Sequence, residues 1–296
     1  MHTPPLVSIL LLSMNHELFI ERCINSLKEQ VYKNIEIIYL DNASSDNTFE
    51  IAKKLLEQSE IPHKIFSNKE SKNISKNLNF LLDNSSGEYV APLSTDDWFA
   101  SENIEKKIAF YTSNPATGAL FSNGWIYDET NKELLLNDAS SFKRGHIYKE
   151  ILTHPDSIFY AGVMYKRDIF EKAGKWDETL IIEDVDMYVR IGLVANIDFI
   201  DDPLVFYRRS IQSASKNNQF MLEGFKQYYE KYKAKPWINM KKWMAERYRL
   251  FAADCIDNKR NKEALGLLLN AVGYNPLSLN NFRTFFYLLR KSLQSL

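Results

Sequence analysis

Cysteine is scarce in this chain, and its scarcity excludes two kinds of small cross-linked protein. Only Cys23 and Cys255 occur among the 296 residues, far apart and with no His or Cys at a metal-ligand spacing. A disulfide framework or a cysteine-rich zinc site needs more cysteines in closer groups. Two isolated cysteines fit a reducing compartment, so we expect a cytoplasmic protein.

Long apolar runs and an excess of charge of one sign are also missing. The apolar run at residues 6–12 is far shorter than the ~20 residues that span a bilayer, and no basic segment precedes it, so we interpret it as a buried strand rather than a signal peptide. The 37 basic and 38 acidic residues give a net charge of −1. A neutral chain argues against a dedicated nucleic-acid binder.

A glycine-rich phosphate loop is absent as well. The chain has ten glycines, and neither GxGxxG nor GxxxxGK follows the first apolar run. Dinucleotide oxidoreductases and P-loop NTPases need such loops so that the backbone can approach phosphates closely. The same absence argues against a nucleotidyltransferase that makes activated sugars.

Apolar strands alternate with amphipathic helices in the first hundred residues. Hydrophobic residues make up 45% of the chain, as in ordinary globular proteins. The predicted strands are 7–13, 35–40, 63–67 and 88–93, and the predicted helices are 17–30, 47–58 and 74–84. Near-continuously apolar strands alternating with helices predict an α/β fold with a mostly parallel central sheet and helices on both faces.

The remaining chain predicts a looser α+β segment followed by helices alone. We expect short strands at 119–121 and 124–127, a polar connection at 131–144, and only helices after residue 217. The sequence therefore predicts one α/β domain at 1–213 and an all-helical C-terminal region at 214–296.

Polar clusters follow three of the predicted strands. They occupy residues 13–16, 41–44 and 94–97. Ligands of open α/β sheets bind beyond the carboxyl ends of the strands, so these clusters predict one shared site. The adjacent Asp96 and Asp97 are suited to hold Mg²⁺ or Mn²⁺ that bridges to phosphate oxygens. Alternatively, Asp96 caps the next helix or the pair forms a polar turn.

A second acidic cluster opens a predicted helix. Glu183 and Asp184 lie in its first turn, where carboxylates favour the helix dipole, and Asp186 can pair with Arg190 at i, i+4. Alternatively, a carboxylate at this helix start faces a cleft and acts as a general base.

Four blocks of the sequence, in this order, resemble an inverting glycosyltransferase of family 2 with the GT-A fold. The blocks are 7–16, 32–38 leading to 41–48, 87–90 leading to 95–98, and 174–178 leading to 183–184. They cover roughly residues 6–212. The resemblance implies a nucleotide-binding half at 1–100 and an acceptor-side half at 101–213, and it leaves the helical region outside.

The resemblance also implies roles for individual residues. A DXD-type metal site is formed by Asp97 and Asp96 with Mg²⁺ or Mn²⁺ as cofactor, and Asp184 is the catalytic base. Trp98, Glu183 and Trp176 are expected to contact the acceptor or sugar, although core packing is the alternative for Trp98. The implied donor-binding residues are Leu12, Met14, Asp41, Asn42, Lys76, Asn77 and Asp96.

The implied reaction is sugar transfer with inversion in bacterial cell-surface polysaccharide assembly. The donor is a UDP-sugar, with dTDP- and GDP-sugars as alternatives, and the acceptor is a glycan or lipid-linked glycan. Leu12, Met14, Asn42 and Ser94 depart from the family pattern, although the Asn42 amide can still bind a pyrimidine edge. A catalytically silent nucleotide-sugar-binding or protein-interaction module is therefore the alternative.

Residues 231–249 are strongly basic. The segment contains seven basic residues and one acidic residue, Glu246, and Trp237, Trp243 and Tyr248 lie among them. Such a segment can bind the inner face of the cytoplasmic membrane, or it can be a solvated basic face over an aromatic core. Residues 282–291 leave the same choice open, with homodimer formation as a third reading.

Overall fold

A computed structural model describes residues 3–154, 157–210 and 217–294. The chain divides into two compact units, Met1–Ile211 and Gln212–Leu296. The first combines strands and helices, and the second is helical throughout its described residues.

The elements follow the alternation that the sequence predicts. The strands are β1 (Val7–Ser13), β2 (Ile35–Asp41), β3 (His63–Ser67), β4 (Tyr89–Ser94), β5 (Trp98–Phe99), β6 (Thr117–Asp128), β7 (Glu133–Leu136), β8 (Met164–Lys166) and β9 (Asn196–Arg209). The helices of the first unit are α1 (Ile20–Lys28), α2 (Thr48–Glu57), α3 (Ile74–Asp83), α4 (Asn103–Ser113), α5 (Tyr148–Thr153), α6 (Ile169–Ala173) and α7 (Asp184–Val194). Those of the second unit are α8 (Asn218–Tyr232), α9 (Met240–Asp257), α10 (Asn261–Tyr274) and α11 (Leu279–Gln294).

One sheet organises the first unit, with strand order β3-β2-β1-β4-β8-β6-β9-β5 and β7 paired to β6. Strands β3, β2, β1 and β4 are mutually parallel, and β6 is parallel to β9. Because β8 is antiparallel to both β4 and β6, these two groups run in the same direction. The predicted mostly parallel α/β sheet is thus confirmed.

The central strands are apolar because the sheet buries them. All seven residues of β2 are buried, as are six of the seven residues of β1. Near the start of these strands the buried Ser8 donates to Glu36 at 2.7 Å, and polar residues return where the strands end: Ser13 pairs with Asp41, and Leu12 pairs with Ser94 of β4. The carboxyl ends of β1, β2 and β4 therefore meet at one edge of the sheet.

The prediction of two short strands at 119–121 and 124–127 is wrong. Both belong to the single long strand β6, whose register against β9 shifts on either side of Asn123. Asn123 interrupted the apolar pattern, but its amide accepts a hydrogen bond from Asn137 Nδ2 at 3.1 Å. Gly124 permits close packing there, since a Cβ at this position would lie 2.4 Å from Phe159.

The predicted polar connection at 131–144 contains the strand β7, which pairs antiparallel with β6. Its leucines are largely exposed, so β7 lacks the alternation that marks a half-buried strand. Hydrogen bonding to β6, rather than burial of one face, forms this hairpin.

The second unit packs around small apolar residues of its own helices. Its core contains Ala252, Cys255, Ile256, Ala264, Leu268 and Leu288. No helix in the described parts of the chain is long and apolar enough to cross a membrane. Among the aromatic residues of 231–249, Trp243 and Tyr248 are each only 6% exposed, and Trp243 packs edge-on against Phe225. These two rings belong to the interior of the unit, so they do not supply the membrane-binding surface predicted for this segment.

Candidate active site

Two tight turns follow β1 and β2 at the polar edge of the sheet. Asn15 and Ala43 both adopt positive φ angles, 57° and 59°, which are uncommon for residues other than glycine. The turns hold each other, because Asn15 N–H donates to Ser44 Oγ at 2.9 Å and Ser45 N–H donates to Asn15 Oδ1 at 2.8 Å. Such backbone strain is often found at functional sites.

Asp41 fixes the second of these turns. Its side chain is buried and accepts hydrogen bonds from Ser13 Oγ at 3.1 Å and from the Ser44 N–H at 2.9 Å. The structure thus places Asp41 at the predicted edge, where it shapes the backbone of residues 41–44.

The hydrogen bonds of the Asn42 amide differ from the predicted contact with a base. Its Oδ1 accepts from Asn68 Nδ2 at 3.0 Å and from Lys72 N–H at 2.8 Å, while its Nδ2 donates to Lys72 O at 3.0 Å. An amide with both ends occupied has little capacity left for a base edge. Asn77 adds to this network by accepting from Asn68 Nδ2 at 2.9 Å. Asn42 and Asn77 therefore hold the loop 68–72 in place, and neither is arranged to bind a base directly.

Met14, Leu12 and Lys76 are more accessible. Met14 is 43% exposed, with its sulfur 3.8 Å from Ser71 Oγ, Leu12 is half-buried, and Lys76 is exposed. Met14 offers a soft apolar surface to a planar ring, and Lys76 carries a mobile positive charge.

Asp96 and Asp97 follow β4 in contrasting environments. Asp97 is 7% exposed, and its Oδ1 accepts a hydrogen bond from the Arg208 N–H at 2.8 Å. Burial, together with the Asp96 charge, raises the pKa of Asp97 well above its usual value. Asp96 is more accessible and accepts a hydrogen bond from Ser94 Oγ. A buried carboxylate beside a second one would be stabilised by a cation.

Arg208 and His16 lie around this acid pair. His16 belongs to the polar cluster 13–16 expected at this edge, whereas Arg208 is not among the predicted site residues. Arg208 Nη2 lies 3.6 Å from Asp96 Oδ2, its Nη1 donates to Glu129 at 2.8 Å, and its buried Nε lacks a hydrogen-bond partner. His16 Nδ1 lies 2.8 Å from Thr95 Oγ1, and its Nε2 is 4.0 Å from Asp96 Oδ2. Burial lowers the pKa of His16. Pairing of β5 with β9 brings Arg208 here, a long-range contact that one sequence does not reveal.

Asp97 and Asp96 could supply part of the coordination of a divalent cation. Within the described ranges no group of three or more His, Cys, Asp and Glu side chains is arranged to hold a metal. Mg²⁺ in nucleotide sites is commonly held by one or two carboxylates, with phosphate oxygens and waters completing its coordination. Two adjacent carboxylates, one of them buried with a raised pKa, match that donor set.

Glu183 and Asp184 stand half-buried at the start of α7. Burial raises the pKa of both carboxyl groups, and the Asp184 charge adds to the effect on Glu183. Asp184 Oδ1 accepts from the Val185 N–H at 2.6 Å. By contrast, the fully buried Asp186 pairs with Arg190 Nε at 2.8 Å, as the helix-pair reading predicted. A carboxylate with a raised pKa is a stronger proton acceptor, as a general base must be.

Helix α3 fixes the segment that leads to Asp184. Asn79 Oδ1 accepts from the Trp176 N–H at 3.0 Å, and its Nδ2 donates to Trp176 O and Glu178 Oε1, both at 2.9 Å. Asn73 Nδ2 donates to Leu180 O at 3.2 Å. Residues 176–180 are therefore bound to the helix that carries Lys76, although about one hundred residues separate them in sequence.

Trp98 and Trp176 are packing residues in this structure. Trp98 is 6% exposed, stacks on Phe206 with ring centroids 5.1 Å apart, and lies under the Arg22 guanidinium. Trp176 is 4% exposed and contacts the Phe170 ring. Their surroundings favour the packing alternative over the predicted contact with sugar, because aromatic neighbours already occupy their rings.

A family model matches the part of the chain that forms most of this site. Residues 8–174, more than half of the chain, match the model described as glycosyl transferase family 2. The chain belongs to glycosyl transferase family 2. The matched range includes the carboxyl ends of β1, β2 and β4, the Asp96–Asp97 pair and helix α3.

Two curated relatives share part of their length with this chain. Glycosyltransferase GlyA of Streptococcus pneumoniae is 28% identical over 215 residues, which cover 68% of this chain and 30% of GlyA. Chondroitin synthase of Pasteurella multocida is 29% identical over 147 residues, which cover 45% of this chain and 15% of the synthase. The chain thus spans less than a third of the length of either relative.

Solved structures with low sequence identity share the fold. Staphylococcus aureus TarS 1-349 in complex with UDP has a TM-score of 0.63 at 15% identity, covering 91% of this chain and 81% of that one. Mannosyltransferase PcManGT from Pyrobaculum calidifontis, in complex with GDP-Man and Mn²⁺, has a TM-score of 0.59 at 14% identity, covering 99% and 87%. These likenesses confirm the GT-A fold for this member of family 2.

Proposed function

We propose that this glycosyltransferase moves one sugar from a nucleoside diphosphate sugar to a hydroxyl of a glycan or lipid-linked glycan, with inversion. The observation that carries the proposal is the buried Asp97 beside Asp96, at the edge where β1, β2 and β4 end. A carboxylate with a raised pKa is costly to the fold, so a ligand that neutralises it explains its presence.

The donor is proposed to bind along this edge. Asp41 holds the turn beneath the nucleotide, and Met14 offers an exposed face to the base. Lys76 and Arg208 bring positive charge to the diphosphate side. A Mg²⁺ or Mn²⁺ ion held by Asp97 and Asp96 would neutralise charge that develops on the departing diphosphate.

The acceptor half of the reaction is assigned to Asp184. The acceptor hydroxyl oxygen attacks the anomeric carbon while the bond to the diphosphate oxygen breaks, and the nucleoside diphosphate leaves with that electron pair. Asp184 takes the hydroxyl proton, a transfer favoured by its raised pKa. Attack opposite the leaving group inverts the anomeric centre in a single displacement.

A UDP-sugar is the donor we propose, with GDP- and dTDP-sugars as alternatives. TarS is solved with UDP and with UDP-GlcNAc, whereas PcManGT is solved with GDP-Man. The relation to chondroitin synthase supports an acceptor that is itself a growing polysaccharide.

Nucleotide binding tests the donor site directly. UDP, GDP, dTDP and CDP are titrated by calorimetry into the wild type and Asp97→Asn, with Mn²⁺ and with a chelator. We expect tight binding of UDP only with Mn²⁺ and only to the wild type. Because Asp97→Asn retains an Oδ1 acceptor for the Arg208 N–H, its fold is preserved.

Failure of all four nucleotides to bind in either metal condition would contradict the donor site. Mn²⁺-dependent UDP binding without hydrolysis or transfer on any glycan acceptor would instead favour the catalytically silent alternative.

A further inference from the structure

Helix α11 presents an apolar face that the second unit does not cover. Leu279, Phe282, Phe286 and Leu289 are 72%, 50%, 67% and 46% exposed. Their spacing of three, four and three residues places them on one side of the helix, and we name them the α11 apolar face. Leu288 of the same helix is buried, so the core of the unit uses a different side.

Helix α10 repeats the arrangement. Leu265, Leu269 and Val272 are exposed at i, i+4 and i+7, while Ala264, Leu268 and Ala271 form its buried stripe. Large apolar side chains repeated on the outside of a helix mark an interaction site more often than chance exposure does.

Basic residues accompany the α11 apolar face. Arg283 and Arg290 are exposed, and they lie one helical turn after Leu279 and Phe286, respectively. Lys291 follows, and α11 contains no Asp or Glu. Such a helix, apolar on one side and basic beside it, is typical of segments that lie in a membrane interface.

Charge is also divided between the two units. Residues 212–296 contain 15 basic and six acidic residues, whereas residues 1–211 contain 22 basic and 32 acidic residues. The nearly neutral chain is therefore a strongly basic unit joined to a strongly acidic one. A basic unit is attracted to an anionic surface, and the acidic unit is repelled by it.

The basic residues favour a lipid surface over a second copy of the chain as the partner of the α11 apolar face. A two-fold dimer through the α11 apolar face would bring the same basic residues of both copies together, since such an interface is self-complementary. Anionic headgroups would neutralise Arg283 and Arg290 while the acyl boundary takes up Phe282 and Phe286. We propose that the α11 apolar face docks the protein on an anionic lipid bilayer.

Vesicle flotation of the full chain tests this docking. The vesicles are phosphatidylcholine alone or with roughly one third phosphatidylglycerol. We expect flotation only with the anionic vesicles. Phe282→Ser with Phe286→Ser should weaken this binding about tenfold or more, because two exposed rings no longer enter the interface. Arg283→Glu with Arg290→Glu should weaken it to a similar degree and reduce its salt dependence.

Matched controls separate this face from general surface properties. Leu134→Ser with Leu136→Ser removes exposed leucines from β7, and Lys241→Glu with Lys242→Glu makes the same charge change on α9. Both controls should float like the wild type within about threefold. Circular dichroism and UDP titration of every variant report on the fold and on the donor site separately from docking.

Several results would overturn the proposal. Equal flotation of wild type and the Phe282/Phe286 variant contradicts it, as does binding to phosphatidylcholine alone. Light scattering that finds a wild-type dimer, a monomeric Phe282/Phe286 variant and no flotation would assign the face to a second copy. If the wild type does not bind UDP but floats with anionic vesicles, the proposed donor site is contradicted and the proposed docking face is supported.

Discussion

Replacing Asn79 with Ala should move the segment that leads to Asp184, the proposed base, without touching the proposed donor site. Asn79 makes three hydrogen bonds, two to the backbone of Trp176 and one to Glu178, and it is 9% exposed. In Asn79→Ala the buried N–H and C=O of Trp176 lose their partners. An unsatisfied buried backbone group costs about 1–3 kcal/mol, so the first unit should lose about 2–4 kcal/mol of unfolding free energy.

The kinetic consequence follows from where the segment leads. Trp176 and Glu178 precede Asp184 by a few residues, and Asn79 anchors them to α3. A displaced general base slows proton transfer, and a misplacement near 1 Å can cost about 100-fold in rate. We therefore expect kcat to fall by about tenfold or more, while the dissociation constant of UDP stays within about twofold of the wild-type value.

Urea unfolding, UDP calorimetry and steady-state transfer measure these three quantities. Asn84→Ala is the matched control, because Asn84 ends the same helix and its amide bonds only the exposed Phe80 carbonyl, at 2.8 Å. Surface changes of this kind usually stay within about 0.5 kcal/mol. A kcat that matches the wild type, or UDP binding that weakens in parallel with kcat, would refute the positioning role of Asn79.

Three further predictions concern ionisable groups. Asp97→Asn should stabilise the metal-free protein at pH 7 and leave its stability unchanged near pH 3. Burial raises the pKa of Asp97, so this carboxyl destabilises the folded state only at pH values where it ionises. Urea unfolding measured across this pH range tests the prediction. Asp184→Asn should lower kcat about 10²- to 10⁴-fold with UDP affinity retained, and substantial transfer by this variant would assign the base elsewhere. Burial lowers the pKa of Lys107 to about 7, so the unfolded chain binds the proton more tightly and wild-type stability should rise between pH 7 and the ordinary lysine pKa. Lys107→Met should flatten that rise, and an unchanged slope would contradict burial of the amine against the Gly162 carbonyl.

Local patterns in the sequence were sufficient for the four parallel strands β1 to β4. Strands β1 to β4 are short apolar runs separated by amphipathic helices, so burial and helix periodicity each leave a readable signal. Where that signal failed, at Asn123 and in β7, the strand depends on hydrogen bonds to a neighbouring strand or loop rather than on its own apolar pattern.

Aromatic residues illustrate a second limit. Trp98 and Trp176 lie beside the acidic blocks in sequence, which suggested contacts with sugar. Trp98 stacks on Phe206 of β9, which lies more than 100 positions away, whereas Trp176 packs on Phe170 of the preceding helix α6. Residue type and position cannot distinguish a ring in a cleft from a ring in a core.

The sequence alone determined the α/β class, the order of the strand ends and the acidic residues that stand there, because each is encoded by neighbours a few positions apart. Tertiary structure decided which polar groups remain available: it occupied the Asn42 amide with the loop 68–72, brought Arg208 to Asp96, and anchored the approach to Asp184 on Asn79. These contacts join residues from about 30 to more than 100 positions apart. Their partners are set by how the sheet and helices pack, and no local pattern records that choice.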